Sequence, residues 1–213
     1  MYRDRTEAGE ILARALAGMR LQRPVVLALP RGGVPVAAPV ARALGAPLDL
    51  ILVRKIGVPG QPELAAGAIV DGPPEHLWLN HALMRSLGLT RADLEPVIAA
   101  RRAELAERRR DWLAGRAPRD LRGRDAIVID DGIATGATIR AALAALRLRG
   151  PARVILAVPV AAADTLEELR PLADEIVCPE APRAFRAVGL HYRNFDQVPG
   201  SAVRAALQDS GED

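Results

Sequence analysis

An α/β fold, built on a doubly wound and mainly parallel sheet, is predicted by three features of this 213-residue chain. Short apolar runs recur at 25–29, 48–53, 126–129, 154–158 and 175–178. They do not alternate with polar residues, which is the pattern of strands covered on both faces. Helical patterns lie between most of them, as crossover helices of a parallel sheet do. The loops after 29, 53 and 129 would all fall at one sheet edge, the carboxyl end, where ligands of such sheets bind beside the switch in strand order.

Each element has its own local reason. Thr6 is expected to cap a first helix with Ile11, Leu12, Ala15, Leu16 and Met19 on its apolar stripe. Pro24 introduces strand 25–29. The loop Pro30-Arg31-Gly32-Gly33 then leads to a short helix through Val36, Val40 and Leu44, stopped at Gly45. Strand 48–53 is followed by a loop, 54–60. Asp71-Gly72-Pro73-Pro74 is a turn signal between 68–70 and 77–79, which predicts a hairpin.

Thr90 caps a long helix through Trp112, with Asp93 in the capping-box position. Leu94, Ile98, Leu105 and Trp112 share a stripe with Arg101 and Arg108. Arginines there would face an anion, face a subunit partner in a homo-oligomer, or snorkel and pair with neighbours such as Glu104. The last is the commoner use. The run 108–110 reads as a solvated face. Strand 126–129, helix 139–147, strand 154–158, a helix near 164–169 and strand 175–178 complete the alternation, and a short polar tail begins at Gln208. The chain reads as one domain, 1–213, with 71–120 as an insertion of hairpin plus long helix.

Composition agrees with a cytoplasmic enzyme and excludes little else. No apolar run is long enough to cross a bilayer, and the charged start carries no signal pattern. One cysteine, Cys178, permits neither an internal disulfide nor a cysteine-based zinc site and is expected to be inert core. The net charge of +3 permits an anionic partner. Nucleic acid is disfavoured, because aromatic residues make up only 3% and the basic residues are interleaved with acids. An appended DNA-binding helix-turn-helix is not expected. The basic residues are nearly all arginine, a bias that fits genome composition or a thermophilic source. Lys55 is the only lysine. Its place after strand 48–53 suits a compact charge that meets a phosphate.

Residues 126–138, Ala-Ile-Val-Ile-Asp-Asp-Gly-Ile-Ala-Thr-Gly-Ala-Thr, carry the strongest functional signal. A strand ends in two carboxylates, Asp130 and Asp131. A small-residue loop through Ala134, Thr135, Gly136, Ala137 and Thr138 then enters a helix. A helix start offers free N–H groups and a positive dipole end to a phosphate. Small residues admit it closely, the threonines add hydroxyl donors, and the carboxylates suit vicinal sugar hydroxyls. The plain alternative is turn chemistry with Thr138 as an N-cap. Two acids, two threonines and two glycines in this order exceed what a turn requires. In the same way, consecutive Gly32-Gly33 make either an anion nest or an ordinary strand-to-helix turn.

This motif resembles the phosphoribosyl pyrophosphate (PRPP) motif of type I phosphoribosyltransferases: apolar strand, Asp-Asp, linker, Thr-Gly-x-Thr. The Arg31-Gly32-Gly33 loop resembles that family's pyrophosphate loop, and Arg54-Lys55 the Arg-Lys segment of its adenine-type members. The resemblance spans most of the chain outside 71–120. It implies a sheet of the type I phosphoribosyltransferase kind, with 71–120 as a helical insertion longer than the family's usual lid. A small C-terminal hood, 181–200, would hold the acceptor base through Phe185, Val188 or Tyr192.

The resemblance also implies the chemistry, transfer of ribose 5-phosphate from PRPP to a nucleobase-like nitrogen nucleophile with release of pyrophosphate. The 5-phosphate would lie on 134–138. Asp130 and Asp131 would hold the ribose hydroxyls and, through water, Mg²⁺, with no direct metal ligand. Arg31, Gly32, Gly33 and Lys55 would meet the pyrophosphate, and Lys55 would assist catalysis. Ala134 stands where 6-oxopurine members carry an aspartate, a departure shared with adenine, orotate and uracil members. A regulatory protein that binds PRPP or a nucleotide without chemistry is the alternative, and phosphoribosyl transfer outside nucleotide salvage would use the same site.

Overall fold

The computed structural model describes residues 1–72, 74–113 and 115–209. Pro73 of the expected turn and residues 210–213 of the expected tail lie outside them.

Five parallel strands form the main sheet: β1 (Val25–Ala28), β2 (Leu48–Leu50), β6 (Asp125–Ile129), β7 (Arg153–Ala157) and β8 (Glu175–Val177), in the order β2-β1-β6-β7-β8. The order runs outward in both directions from the β1–β6 pair, so the switch point lies between the ends of those two strands. Their register aligns Ala28 with Ile129, which brings the loops after both to the same edge.

The sheet is doubly wound because β1, and β6 and β7 after their first residues, are apolar at every position. Val26, Ala28, Ile127, Ile129, Ile155 and Ala157 face one core, with α1 (Arg5–Leu16) and α2 (Gly33–Leu44). Val25, Leu27, Ala126, Val128, Val154 and Leu156 face the other, with α5 (Ala137–Arg147) and α6 (Ala163–Leu169). Alternate side chains of one strand thus fill two layers. The polar Asp125 is wholly buried at the start of β6. It accepts both Nε and Nη2 of Arg153, at 3.0 and 2.6 Å, and the Gln22 N–H at 2.6 Å. Burial pushes its carboxyl up, but these donors outweigh burial and hold it below the usual value.

The run expected as one strand over 48–53 divides. β2 ends at Leu50, and from Val53 the chain enters a second, antiparallel sheet made of β3 (Val53–Val58), β4 (Gln61–Val70) and β5 (His76–Leu79). The segment expected as a loop over 54–60 is therefore mostly strand. The antiparallel pairing of β4 with β5 is as expected, with Val70 opposite His76. A short helix, α3 (His81–Ser86), follows. The capping box then opens α4 (Arg91–Leu113): Asp93 Oδ2 accepts the Thr90 N–H at 2.7 Å and the Thr90 hydroxyl at 2.6 Å.

Pairing is what the arginines on the α4 stripe do. Arg101 pairs with Glu104, whose other oxygen lies 3.1 Å from Arg54 Nε, and Arg108 stacks 5.1 Å over Trp112. The first helix begins earlier than Thr6 suggested. Asp4 is its cap, accepting the Glu7 N–H at 2.9 Å.

The C-terminal α7 (Gly200–Asp209) was not expected. Val203 and Leu207 are buried in the core shared with α2 and α4, which gives the polar-looking end of the chain its apolar stripe. Among the described residues no helix is long and apolar enough to cross a membrane.

Candidate functional site

β1 and β6 deliver two loops to one point. After β6 come Asp130 and Asp131, with the Asp131 N–H donating to Asp130 Oδ1 at 2.9 Å. After β1 comes Pro30-Arg31-Gly32-Gly33, whose Pro30–Arg31 peptide is cis. Both glycines are required by this approach. A methyl on Gly32 would overlap the Asp131 carboxylate, and one on Gly33 would lie 2.6 Å from the Ile129 carbonyl oxygen. The structure therefore brings together Gly32, Gly33, Asp130 and Asp131, which lie about a hundred residues apart in the sequence.

The loop 132–136 is fastened on its far side. Ile133 donates to the Val160 carbonyl at 3.0 Å and accepts from Ala162 N at 3.1 Å. The Thr165 hydroxyl donates to the Ala134 carbonyl at 2.7 Å. Gly136 then caps α5 in the left-handed region at φ +71°, a conformation that favours glycine. No side chain caps this helix start, so Thr138 is a first-turn residue and not the N-cap. Ala134 and Thr135 are exposed, and Ala137 and Thr138 half-buried. Uncapped N–H groups at a helix start, flanked by accessible hydroxyls, can receive a phosphate.

The acidic pair is electrostatically loaded. Burial, then the negative charge of Asp131, pushes Asp130 well above the ordinary carboxylate range. Burial pushes Asp131 up as well, while Arg5 pulls it back. Arg5 Nε donates to Asp131 Oδ2 at 2.8 Å. Sequence reasoning missed this residue. It sits at the start of α1 among other charged residues, and no spacing marks it out.

The remaining expected residues are placed less centrally. Lys55 lies on β3, where its Nζ donates to both the carbonyl and the carboxylate of Glu63 across the hairpin, each at 3.1 Å. Strand alternation turns its neighbour Arg54 the other way, toward α4. There burial lowers the Arg54 guanidinium pKa, Glu104 opposes the shift, and Arg101 and Arg31 reinforce it. Arg54 thus shares the field of Arg31, while Lys55 is held within its own hairpin.

The hood stands directly on the acidic turn. Val188 Cγ1 would lie 2.6 Å from a methyl on Gly132, and the Tyr192 hydroxyl donates to the Asp131 carbonyl at 2.6 Å. Tyr192 is only 5% exposed and packs against Tyr2 and Phe195, so it is a packing residue and offers no ring face to a base. Phe185 stacks on His191 at 5.3 Å and, like Val188, is half-buried. Cys178 is pushed up to about 11 by burial, which keeps it a thiol. Hollows also open elsewhere, about 480 Å³ at the α2–α7 seam and about 530 Å³ beside α3. They carry no comparable convergence of charged groups and glycines, so chemistry rather than concavity locates the site.

A parallel sheet with an acidic turn and a small-residue loop at its switch point belongs to the ligand-binding, doubly wound α/β class. Comparison with known proteins narrows the class. A family model described as the phosphoribosyl transferase domain matches residues 4–193. The chain is 45% identical over 213 residues to a Mycobacterium tuberculosis protein provisionally named a phosphoribosyl transferase, in strains CDC 1551 and H37Rv. That match covers 100% of this chain and 48% of the relative, so the chain spans about half the length of the curated relatives it matches. The crystal structure of TT1426 from Thermus thermophilus is similar along 99% of both chains, at 43% identity and a TM-score of 0.86. AQ2163 of Aquifex aeolicus, at 13% identity and a TM-score of 0.53 over 87% of this chain and 78% of its own, shares the fold alone. The chain belongs to the phosphoribosyl transferase domain family.

Proposed function

We propose that the protein is a Mg²⁺-dependent phosphoribosyltransferase that moves ribose 5-phosphate from PRPP to a nitrogen nucleophile of the nucleobase class, releasing pyrophosphate. The observation that carries this reading is the convergence of Gly32-Gly33 on Asp130-Asp131, beside the uncapped start of α5. One pole offers acceptors for a sugar diol, and the two flanking loops offer donors for the phosphates at either end of PRPP.

Displacement at the sugar C1 leaves positive charge on the ring as the pyrophosphate departs, in the manner of glycoside cleavage. The protein's task is then to position the reactants and stabilise charge. The 134–138 loop would hold the 5-phosphate. Asp130 and Asp131 would accept the ribose hydroxyls, and the negative charge of the pair would stand where the ring becomes cationic. Arg31 and the Gly32-Gly33 amides would receive the leaving pyrophosphate, with Lys55 joining them once released from Glu63.

The donor set fits a metal held through water. Two carboxylates stand together at the turn, hard oxygen donors of the kind a hydrated Mg²⁺ would meet. Asp130 and Asp131 would hold the hydration shell of Mg²⁺, which lends positive charge to the pyrophosphate oxygens when bound.

The test is pyrophosphate release from purified protein with PRPP, Mg²⁺ and a panel of nitrogenous bases. Turnover with one acceptor is expected. PRPP binding by calorimetry without turnover of any acceptor would favour the regulatory reading. Absence of binding would remove both.

A further inference from the structure

Arg5 has no task in the reading above, yet it holds one of the two carboxylates on which that reading depends. Its Nε donates to Asp131 Oδ2 at 2.8 Å, and its Nη1 donates to the Asp196 carbonyl at 2.8 Å. Its guanidinium carbon lies 3.8 Å from the centre of the Phe195 ring. The Arg5 and Asp131 side chains are 12% and 15% exposed, so water competes weakly for the pair. A planar guanidinium fixed by a carboxylate, a carbonyl and an aromatic face has a single orientation, and it fixes the orientation of the carboxylate in turn.

The consequence lies in which oxygens remain for a ligand. Asp131 Oδ2 is committed to Arg5, and Asp130 Oδ1 is committed to the Asp131 N–H. Neither bond takes Asp131 Oδ1 or Asp130 Oδ2, one oxygen of each carboxylate and the number that two vicinal hydroxyls would require, although the two side chains also interact with each other.

We infer that Arg5 is a positioning residue that sets the hydroxyl recognition of the site: it turns Asp131 so that its free oxygen meets one hydroxyl of the sugar, and it ties hood residues 195–196 to the same carboxylate. The inference rests on the reading of Asp130 and Asp131 as the diol-binding pair. The pairing joins α1 to the turn after β6 across 126 positions of sequence. The start of the chain thereby becomes part of sugar recognition rather than a covering helix alone.

Calorimetric titration with ribose 5-phosphate and its 2-deoxy and 3-deoxy analogues tests this in wild type, Arg5→Gln and Arg5→Lys. The wild type is expected to prefer the full diol over both analogues. In Arg5→Gln one of the two preferences should fall by roughly tenfold to a hundredfold, the scale of a hydrogen bond to a charged group. The other preference, and the affinity for inorganic phosphate, should be retained. Arg5→Lys keeps the charge without the fork and should fall between. It also serves as the test if Arg5→Gln does not fold, unchanged preferences then counting against Arg5.

Arg5→Gln with both preferences intact overturns the inference and leaves the ribose reading standing. An even loss of all affinities, phosphate included, marks a structural strut and also overturns it. A wild type that binds phosphate but is blind to both hydroxyls removes the ribose reading, and the inference with it.

Discussion

Gly32 and Asp131 occupy adjoining space so closely that the first has room for hydrogen alone. Gly32→Ala must push the carboxylate or the loop aside. An overpacked site of this kind costs about 1–3 kcal/mol, and here the displaced group is the proposed diol acceptor. Thermal unfolding together with ribose 5-phosphate titration should show a lowered Tm and lost binding, and retention of full affinity would contradict the geometry.

Asp130 makes the opposite prediction for stability. Burial and the charge of Asp131 raise its folded pKa above the ordinary 3.8. A raised folded value costs the folded state stability at every pH above the unfolded value, and that penalty fades as pH falls through the raised value toward the unfolded one. Asp130→Asn keeps an oxygen to accept the Asp131 N–H and removes the charge. Its Tm at pH 7 should exceed that of the wild type by a few degrees, the gap narrowing toward pH 4, while sugar-phosphate binding is lost. Differential scanning calorimetry across that range decides it, and a lower Tm at pH 7 would refute it.

At the scale of elements, the β3–β4 hairpin and the hood were the least legible. The residues from 48 to 58 are mostly apolar and do not alternate regularly, so periodicity cannot show where one strand ends and the next sheet begins. Only the pairing of Val53 with Val70 decides that, and β4 lies beyond a turn. The hairpin gives Lys55 a carboxylate partner that a loop would not have. Glu63 is 96% exposed, so the pair contributes little and releases readily.

Lys55 is therefore expected to act on the departing pyrophosphate more than on initial binding. Single-turnover kinetics should show Lys55→Ala lowering kcat by tenfold or more, the equivalent of about 1.4 kcal/mol, with PRPP affinity little changed. Lys55→Arg should recover part of the rate. Full activity in Lys55→Ala would leave the lysine a mere hairpin residue. The capping box of α4, by contrast, was readable because its partners lie three residues apart.

For the whole molecule, the proposed function puts the acceptor between the hood and the turn at Asp130. Ala134, exposed on that turn, carries no acid or base for a 6-oxopurine. Hypoxanthine and guanine are accordingly expected to be poor acceptors beside the best one in a base panel. Efficient transfer to either would mean that another element supplies the missing group.

What the sequence by itself determined was local or periodic. It comprised the strand–acid pair–loop–helix unit at 126–138, the unalternating strands that require helices on both faces, and the order of the two ligand loops. These depend on neighbours within a few residues, or on burial that a hydrophobic pattern records directly. Tertiary structure alone decided the rest: that Gly32 abuts Asp131, that Arg5 claims one oxygen of that carboxylate, that Tyr192 is packed rather than presented, and that α7 closes the core beside α2 and α4. Each of these is a contact between distant segments. A charge, a glycine or an aromatic ring carries no mark in the sequence of the partner that the folded chain will bring to it.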